Sequence, residues 1–342
     1  MKPLLSICIP TYNRAEILKN TIESITTQEV FRKTELVQIV VSDNASSDKT
    51  PEVMQNFLLE FPQKIRYIRL TKPIDPHFNF ENALKNGSGE FVKLLADATC
   101  FRKGQLEIFV KELQGNQSYN VILTQSLSTE VGKTRVIKSV EELLSSYSFN
   151  LSWISIFCFR RSTLFKLPDP FRYWFLFFPQ MDIAFRLIKA GNPALSFNNR
   201  YFAPQPKLYY SNRNEAHIFG DCYLNFLEKY LLTGDISKKT YSKEKFNTLI
   251  LQTIPFYFDS HHVFQKDKHP GYRTFWKSLP KYHKEPYFII MLPFLILYME
   301  LRKIPLFGLV PYWIKTVLIA ILFHWTPRMR FPMSNAQDNK TD

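Results

Sequence analysis

The segment "LLSICIPTYNRAEIL", from Leu4 to Leu18, is the first indication of how this 342-residue chain folds. Its first half, Leu4 to Ile9, is a short apolar run with β-branched residues, which predicts a buried β-strand. Pro10 marks the end of that strand, and apolar residues at helical spacing follow from Glu16. A strand followed directly by a helix is the unit from which a parallel sheet is built.

The same alternation continues through the first half of the chain. Strands are predicted at residues 36–41, 65–70, 91–95 and 121–127, and helices at 16–27, 51–61, 78–86 and 105–113. This order predicts an α/β fold in which helices cover both faces of a mostly parallel sheet, a nucleotide-binding architecture. The sequence has no GxGxxG loop after the first strand and no GxxxxGK[ST] loop, which disfavours dinucleotide dehydrogenases and P-loop enzymes.

The composition narrows the class of partner. With 45% hydrophobic residues the chain can bury a substantial core, and its formal net charge of +14 favours nucleic acid, an anionic membrane or a phosphorylated substrate. No RNA- or DNA-binding module is visible, so we do not expect a nucleic-acid partner. The four cysteines form no CxxC pair, which predicts free thiols in a reducing cytoplasm, and the N-terminus does not resemble a signal peptide.

Polar side chains follow the first two predicted strands. Thr11, Tyr12, Asn13 and Arg14 follow the first strand, a set that suits a nucleoside diphosphate, although a turn in which Asn13 caps the next helix explains it equally well. Asp43 ends the second strand, where a carboxylate can accept hydrogen bonds from a base or a ribose. Ligands of open α/β sheets bind beyond the carboxyl ends of the strands.

Three segments in sequence order carry a family resemblance: "SICIPTYNR", "IVVSDNASSDKT" and "ENALKNGSGEFVKLLADA". Together they resemble the family 2 glycosyltransferases of the GT-A fold over residues 3–98, in particular bacterial enzymes that build surface polysaccharides. The resemblance implies transfer of a sugar from a nucleotide-sugar donor to a hydroxyl of a glycan, often lipid-linked. It also implies inversion at the sugar carbon and a divalent metal, Mn²⁺ or Mg²⁺, that neutralises the leaving diphosphate.

The resemblance also implies which residues form the donor site. The expected nucleotide-binding residues are Pro10, Thr11, Tyr12, Arg14, Asp43, Asn79 and Asn82, and the expected metal ligand is Asp97. The chain departs from the family pattern next to Asp97, because Ala96, Ala98 and Thr99 stand where relatives carry further acids. One aspartate can suffice if phosphates and water complete the coordination of Mg²⁺.

The alternative for the donor site is that the metal is dispensable. In that case Lys93, Arg102, Lys103 or a more distant cation supplies part of the positive charge.

A second departure concerns the acceptor side. The segment "DIAFRLIKAG", which begins at Asp182, resembles the family's acceptor helix, whose first acidic residues include the catalytic base. Pro179 and Gln180 fall on that acidic pair, so Gln180 is expected at the acceptor site and Asp182 is the remaining candidate base. Asp182 is equally explained as an acid that stabilises a helix N-terminus. His217 is a further candidate contact to phosphate or metal.

The last third of the chain changes in character. We expect a catalytic domain at residues 1–235, a basic and aromatic helical appendage at 236–333, and a disordered tail at 334–342. The apolar run 304–325 is long enough to span a bilayer, but Pro305, Pro311 and Lys315 interrupt it. Helices lying on the inner face of the cytoplasmic membrane are therefore expected, and a true span, a buried subdomain or an oligomer contact stay open.

Two functions of different class are consistent with these patterns. The first is a metal-assisted, inverting glycosyltransferase that is cytoplasmic and peripheral to the membrane. The second is a catalytically degenerate protein of the same fold that acts in binding or assembly, which the missing acids favour and the nucleotide motifs oppose.

Overall fold

The computed structural model describes residues 2–124, 132–203, 217–253, 277, 279–290 and 292–293. The chain divides into two compact units, Met1–Thr274 and Phe275–Asp342. The predicted domain boundary at residue 235 stays a prediction, as do the tail and the apolar run 304–325, which lie outside the described residues. Within the described part of the chain, no helix combines the length and the hydropathy that a bilayer crossing requires.

The centre of the first unit is an eight-stranded sheet with the order β3-β2-β1-β4-β7-β5-β8-β6. The strands are β1 Leu5–Thr11, β2 Val37–Asp43, β3 Ile65–Arg69, β4 Phe91–Leu94, β5 Val121–Leu123, β6 Thr134–Ile137, β7 Phe157–Arg160 and β8 Ala194–Phe197. The first four are mutually parallel, β5 is parallel to β8, and β7 and β6 are antiparallel to their neighbours. The predicted mostly parallel sheet is confirmed.

Helices pack on both faces of the sheet. They are α1 Ala15–Thr26, α2 Glu29–Lys33, α3 Thr50–Glu60, α4 Pro76–Lys85, α5 Gln105–Gly115, α6 Val140–Tyr147, α7 Arg161–Leu164, α8 Pro179–Lys189, α9 Leu224–Leu232 and α10 Lys238–Thr248. Leu5, Ile7 and Ile9 of β1 belong to the core that α1, α3 and α5 cover, while α4 lies against the opposite face of β1 and β2. A strand with helices on both faces is apolar throughout, as the sequence of β1 is.

The turn between α4 and β4 requires a glycine at position 89, within the third motif. A Cβ on Gly89 would lie 2.6 Å from the backbone nitrogen of Ser6, so only glycine permits this approach to β1. The same turn donates a hydrogen bond to the neighbouring strand, from the Gly89 backbone N–H to Ser6 Oγ over 2.8 Å. This close contact aligns β4 beside β1, with Leu5 opposite Phe91.

Some elements differ from the sequence prediction. The apolar run "WISIFCF", residues 153–159, has the composition of a buried strand, but Ile154–Ile156 is 3₁₀-helical and β7 begins only at Phe157. The prediction included neither β6 nor β8, which pair with each other at one edge of the sheet across about sixty residues. Each of these strands has only four residues, which gives a weak periodicity signal.

This topology assembles the candidate site. Because β2, β1 and β4 are adjacent and parallel, the segments that leave their carboxyl ends meet at one edge of the sheet. Those segments carry Thr11 to Arg14, Asp43 to Asp48, and Asp97.

Candidate functional site

Asp97 lies at the centre of this edge, just after β4. Its carboxylate accepts hydrogen bonds from Thr11 Oγ1 over 3.1 Å and from Arg14 Nη1 over 2.8 Å, and its residue is 6% exposed. Thr21 Oγ1 also donates to the Asp97 carbonyl oxygen over 2.7 Å. Burial raises the pKa of the Asp97 carboxyl, and the Arg14 guanidinium together with the hydrogen bonds opposes that rise. Arg14 and Asp97 thus form a largely desolvated ion pair.

The residues around Asp97 do not form a metal site by themselves. No group of three or more His, Cys, Asp or Glu residues that could hold a metal ion occurs within the described ranges. Thr99, at one of the positions where an acid was missing, shares a 3.1 Å hydrogen bond with Ser155 Oγ. Both Asp97 oxygens already have donors, so an incoming cation would have to compete with Arg14 for the one carboxylate.

Asp43 is fully buried at the end of β2. Its Oδ1 accepts from the Ser46 backbone N–H and hydroxyl over 2.9 and 2.5 Å, and its Oδ2 accepts from Tyr67 OH over 2.6 Å. Arg69 Nε lies 3.8 Å from the same Oδ2. In this arrangement Asp43 orders the loop after β2 and ties β2 to β3, and its predicted contact with a base or ribose stays a prediction.

Asn79 and Asn82 attach α4 to the sheet. Asn79 Oδ1 accepts from Ser42 Oγ over 2.6 Å, Asn79 Nδ2 donates to the Ser42 carbonyl over 2.9 Å, and Asn82 Nδ2 donates to Ser42 Oγ over 2.7 Å. These contacts involve the same side-chain amides that were predicted to bind the nucleotide. In the structure both side chains position α4 against β2, and their predicted contact with a nucleotide stays a prediction.

The loops after β1 and β2 are bonded into one unit. Asn13, at φ 52°, donates its backbone N–H to Ser46 Oγ over 2.9 Å, and its side-chain oxygen accepts from the Ser47 backbone N–H over 2.7 Å. Asp48 Oδ2 accepts from the first N–H of α1, that of Ala15, over 2.9 Å. Burial alone would raise the pKa of Asp48, but hydrogen bonds, including those from Thr50 and Ala15, hold it below the usual range.

The helix cap is thus Asp48, and the alternative in which Asn13 caps α1 is wrong. Between these fixed points Tyr12 is 47% exposed, and the Arg14 side chain is 24% exposed. Pro10 and Thr11 lie at the end of β1, where both are buried. Tyr12, Asn13 and Arg14 are therefore the residues of the first motif that are open to solvent.

Lys93 does not reach this edge. It is fully buried in β4, where its Nζ donates to Thr124 Oγ1 over 2.8 Å and to the Ser155 carbonyl, and it lies over the rings of Phe109 and Phe202. Burial lowers the pKa of Lys93 to about 7. The alternative in which Lys93 neutralises a diphosphate does not fit this burial.

Asp182 is fully buried in the first turn of α8. Arg172 donates to both of its oxygens, at 2.9 Å from Nη2 and 3.1 Å from Nε, and Tyr230 OH donates over 2.5 Å. Arg186 Nη1 lies 3.3 Å away. Asp182 thus anchors Arg172, Arg186 and Tyr230 at the start of α8, and its predicted role as the catalytic base stays a prediction.

Gln180, also in the first turn of α8, is buried as well. Its Nε2 donates to the Ser152 carbonyl over 3.0 Å, while its Oε1 has no hydrogen-bond partner among the described residues. A neutral amide is not a general base, but its oxygen can accept a hydrogen bond. The nearby 3₁₀ segment also includes Ser148, whose hydroxyl donates over 2.8 Å to Glu244, and burial raises the pKa of Glu244 to about 7.

His217 lies beside the segment that precedes α8. Its ring centroid is 6.3 Å from that of Phe177, and its Nδ1 is 3.2 Å from Asp221 Oδ2. Its predicted contact to phosphate or metal stays a prediction. The sequence analysis did not single out the exposed aromatic side chains of this region, although the run "FRYWFLFF" at residues 171–178 was a signal for them.

Two curated bacterial proteins with sequences similar to part of this chain are sugar transferases. A glucosyltransferase of Campylobacter jejuni, GalNAc(5)-diNAcBac-PP-undecaprenol beta-1,3-glucosyltransferase, is 34% identical over 131 residues, which are 38% of this chain and 40% of that protein. The abequosyltransferase RfbV of Salmonella typhimurium is 33% identical over 105 residues, 31% of each chain. The aligned part of the chain thus spans less than half the length of these curated relatives.

A solved structure supports the fold. The mannosyltransferase PcManGT from Pyrobaculum calidifontis, in complex with GDP-Man and Mn²⁺, superposes with a TM-score of 0.54 at 15% identity, over 94% of this chain and 86% of that one. The GT-A fold that the sequence motifs predicted is confirmed. The model of the family described as Glycosyl transferase family 2 matches residues 6–177. Since this match covers half of the chain, including the edge where Thr11, Asp43 and Asp97 meet, the chain belongs to glycosyl transferase family 2.

Proposed function

We propose that the chain transfers a sugar from a nucleotide-sugar donor to a hydroxyl group of a glycan acceptor. The observation that carries the proposal is the convergence of the family's three motifs on one sheet edge, where Arg14 is paired with Asp97. Open α/β sheets bind nucleotides at such an edge.

The chemistry of the donor supports this assignment of the edge. A nucleotide sugar carries two phosphates, and its leaving group gains negative charge as the bond to the sugar breaks. Arg14 offers a planar, permanently charged donor for phosphate oxygens, and Asp97 together with Thr11 fixes where that donor stands. Tyr12, exposed next to it, offers a ring face to the base or ribose.

In this proposal Asp43 does not contact the nucleotide itself but positions the residues that surround it. Its bonds to Ser46 and Tyr67 hold the loop after β2 in one conformation, and that loop is bonded to Asn13 beside Tyr12. A loop that is already ordered loses less conformational entropy when a nucleotide binds. Asp43 therefore supports nucleotide affinity by positioning.

The proposal includes a divalent metal at the donor site. Asp97 is the residue that would hold Mn²⁺ or Mg²⁺, with donor phosphates and water as the remaining ligands. Arg14, which is paired with Asp97, gives the site a cation of its own. Binding of the donor phosphates is therefore assigned to Arg14, with Asp97 and Thr11 fixing its position, and not to a metal.

The relatives and the charge support a proposal for the acceptor class and the location. We favour a lipid-linked glycan, because the Campylobacter relative is named for a PP-undecaprenol acceptor and the net charge of +14 suits an anionic membrane surface. We therefore propose a peripheral location on the inner face of the cytoplasmic membrane. Sedimentation of the full chain with phosphatidylglycerol vesicles tests this part, and the absence of binding would exclude it.

Thermal unfolding with UDP, GDP, CDP and dTDP, each with Mn²⁺ or with EDTA, tests the donor site. A ligand at 100 times its Kd stabilises the folded state by about 2.7 kcal/mol, so one nucleotide should raise Tm well above the others. Transfer of a radiolabelled sugar from the matching donor then tests the activity. Nucleotide binding without transfer to any acceptor would favour the degenerate binding or assembly protein, and no nucleotide effect at all would exclude both.

A further inference from the structure

The loop that carries Asp97 is held by a side chain from a distant part of the chain. We call residues 96–99, which follow β4, the donor loop. β4 pairs antiparallel with β7, and their register, carried past the ends of both strands, places Ser155 opposite Ala96. The strand β7 begins only at Phe157, so the ladder of backbone hydrogen bonds has ended at this point. The Ser155 side chain makes the contact instead.

The Ser155 hydroxyl binds the donor loop at both of its ends. Its oxygen accepts the backbone N–H of Ala96 over 2.9 Å, and it shares a 3.1 Å hydrogen bond with Thr99 Oγ1. Thr99 also closes the loop on itself, because its backbone N–H donates to the Ala96 carbonyl over 2.9 Å. Ser155 and Thr99 are fully buried. Removal of the Ser155 hydroxyl would therefore leave the Thr99 hydroxyl and the Ala96 N–H without this partner.

Ser155 itself is fixed from the interior of the sheet. Its backbone carbonyl accepts hydrogen bonds from Lys93 Nζ and, over 3.0 Å, from Thr124 Oγ1. Lys93 and Thr124 are both buried, and they are bonded to each other over 2.8 Å. The carbonyl of Ser155 is thus tied to the core, while its hydroxyl is tied to the donor loop. A substitution that removes only the hydroxyl leaves the carbonyl bonds in place.

The donor loop in turn decides where the Asp97 carboxylate lies. Thr21 Oγ1 of α1 donates to the Asp97 carbonyl over 2.7 Å, so the backbone of the loop is bonded at Ala96, Asp97 and Thr99. In this conformation the carboxylate lies 2.8 Å from Arg14 Nη1. A loop that is ordered before a ligand binds loses less conformational entropy on binding. The order of the loop is therefore passed on to Arg14.

The residues of the donor loop fit this role. Ala98 and Thr99 stand where the family resemblance implied further acids, and the Thr99 hydroxyl is bonded to Ser155. Ala98 is buried as well. Neutral hydroxyl groups thus order the loop without adding a charge beside the ion pair of Arg14 and Asp97.

We propose that Ser155, together with Thr99, is a positioning residue of the donor site. It holds the donor loop so that Asp97 keeps the Arg14 guanidinium directed at the diphosphate of the nucleotide sugar. Ser155 and Thr99 do not contact the donor in this role, since they act through Asp97 and Arg14. The inference rests on the proposed function, because it states how that same site is ordered before the donor binds.

Ser155→Ala and Thr99→Val test the proposal in the full-length chain, and Thr99→Ser is the change that keeps the hydroxyl. Thr248→Val is the matched control, because Thr248 is a fully buried threonine of α10 whose hydroxyl donates to a backbone carbonyl over 2.9 Å. Calorimetry in EDTA uses whichever of UDP, GDP, CDP and dTDP raises the wild-type Tm most. Its Kd should rise about two- to tenfold in Ser155→Ala and Thr99→Val. Thr99→Ser and Thr248→Val should keep the wild-type Kd, and the nucleoside without phosphates should bind all variants equally.

Hydrogen exchange of the ligand-free protein measures the order of the donor loop directly. The amides of residues 96–99 should exchange faster in Ser155→Ala than in the wild type or in Thr248→Val. A double-mutant cycle then shows whether the effect on binding passes through Arg14. Added to Arg14→Ala, the change Ser155→Ala should cause no further loss of diphosphate affinity, a result that a purely structural role would not produce.

Several results would overturn the proposal. Unchanged exchange in Ser155→Ala shows that Ser155 does not order the loop, and faster exchange with wild-type diphosphate affinity shows a purely structural role. Additive losses in the Arg14→Ala background, or an equal loss for the nucleoside, show that the effect does not pass through Arg14. If no nucleotide affects the wild type, the donor site itself is excluded, and this role with it. If the wild type binds and Ser155→Ala binds equally well, only the role of Ser155 is excluded.

Discussion

Arg14→Ala is the change that examines the donor site most directly. If Arg14 binds the donor diphosphate, its removal deletes hydrogen bonds to a charged group, which contribute about 1.5–3 kcal/mol. The expected result is about 10- to 150-fold weaker binding of UDP or GDP in EDTA. Binding of uridine or guanosine, which lack phosphates, should change little.

The same change also affects folding, because it leaves Asp97 buried without its cation. The Arg14 side chain is 24% exposed, so water screens part of the pair. We therefore expect a loss of about 1–3 kcal/mol in the free energy of unfolding instead of the larger penalty of a fully buried pair. The double variant Arg14→Ala, Asp97→Asn removes the isolated charge, so it should regain stability without regaining nucleotide affinity.

Isothermal titration calorimetry in EDTA and in Mn²⁺, with urea unfolding alongside, measures both effects. Lys19→Ala removes a cation from the exposed side of the same helix and serves as the matched control. Equal diphosphate affinity for wild type and Arg14→Ala in EDTA would refute the assignment of Arg14. An affinity gain with Mn²⁺ that disappears in Asp97→Asn alone would show that Asp97 is a metal ligand.

Three further changes test the remaining assignments. Asp182→Ala should cost about 3–5 kcal/mol in the free energy of unfolding, because it leaves Arg172 and Arg186 without their buried partner; urea unfolding measures this, and a loss of kcat with unchanged stability would instead support Asp182 as the base. Asp43→Ala leaves Tyr67 OH and Ser46 without their acceptor, so calorimetry should show weaker nucleotide binding and urea unfolding a loss of about 1–3 kcal/mol; wild-type values of both would remove Asp43 from its positioning role. Glu244 has a folded pKa raised to about 7, so the folded state binds the extra proton between about pH 4.5 and 7, and its contribution to stability falls as pH rises through that window. Glu244→Gln should flatten this slope in unfolding experiments at pH 5, 6 and 7, and an unchanged slope would contradict the raised pKa.

Much of the donor half was predictable because its signals are local. The strands around Ile7, Ile39 and Val92 are apolar runs, and each is followed by a helix with its own spacing. The residues after them converge because parallel strands share one carboxyl edge. Asp97 was therefore placed correctly at that edge from sequence, as were Tyr12 and Arg14.

The acceptor half was less predictable because its contacts join distant parts of the chain. A stretch such as "PQMDIAFRL" shows that Asp182 stands in a helix, but not that Tyr230, 48 residues later, donates to it. Likewise, Phe78 and Trp174 are 96 residues apart in sequence, and only the packing of α4 against the segment before α8 makes them one surface.

The sequence alone determined the alternating architecture, the family and the edge at which the donor site lies, since periodicity and strand-end residues depend on neighbours a few positions away. The tertiary structure alone decided which polar side chains remain available. Asp43, Asn79, Lys93 and Asp182 all have the right chemistry for a ligand, yet each is buried and bonded within the protein. Because a buried polar group must be paired, its partners decide whether it holds the fold together or meets a substrate, and those partners are assembled only when the chain has folded.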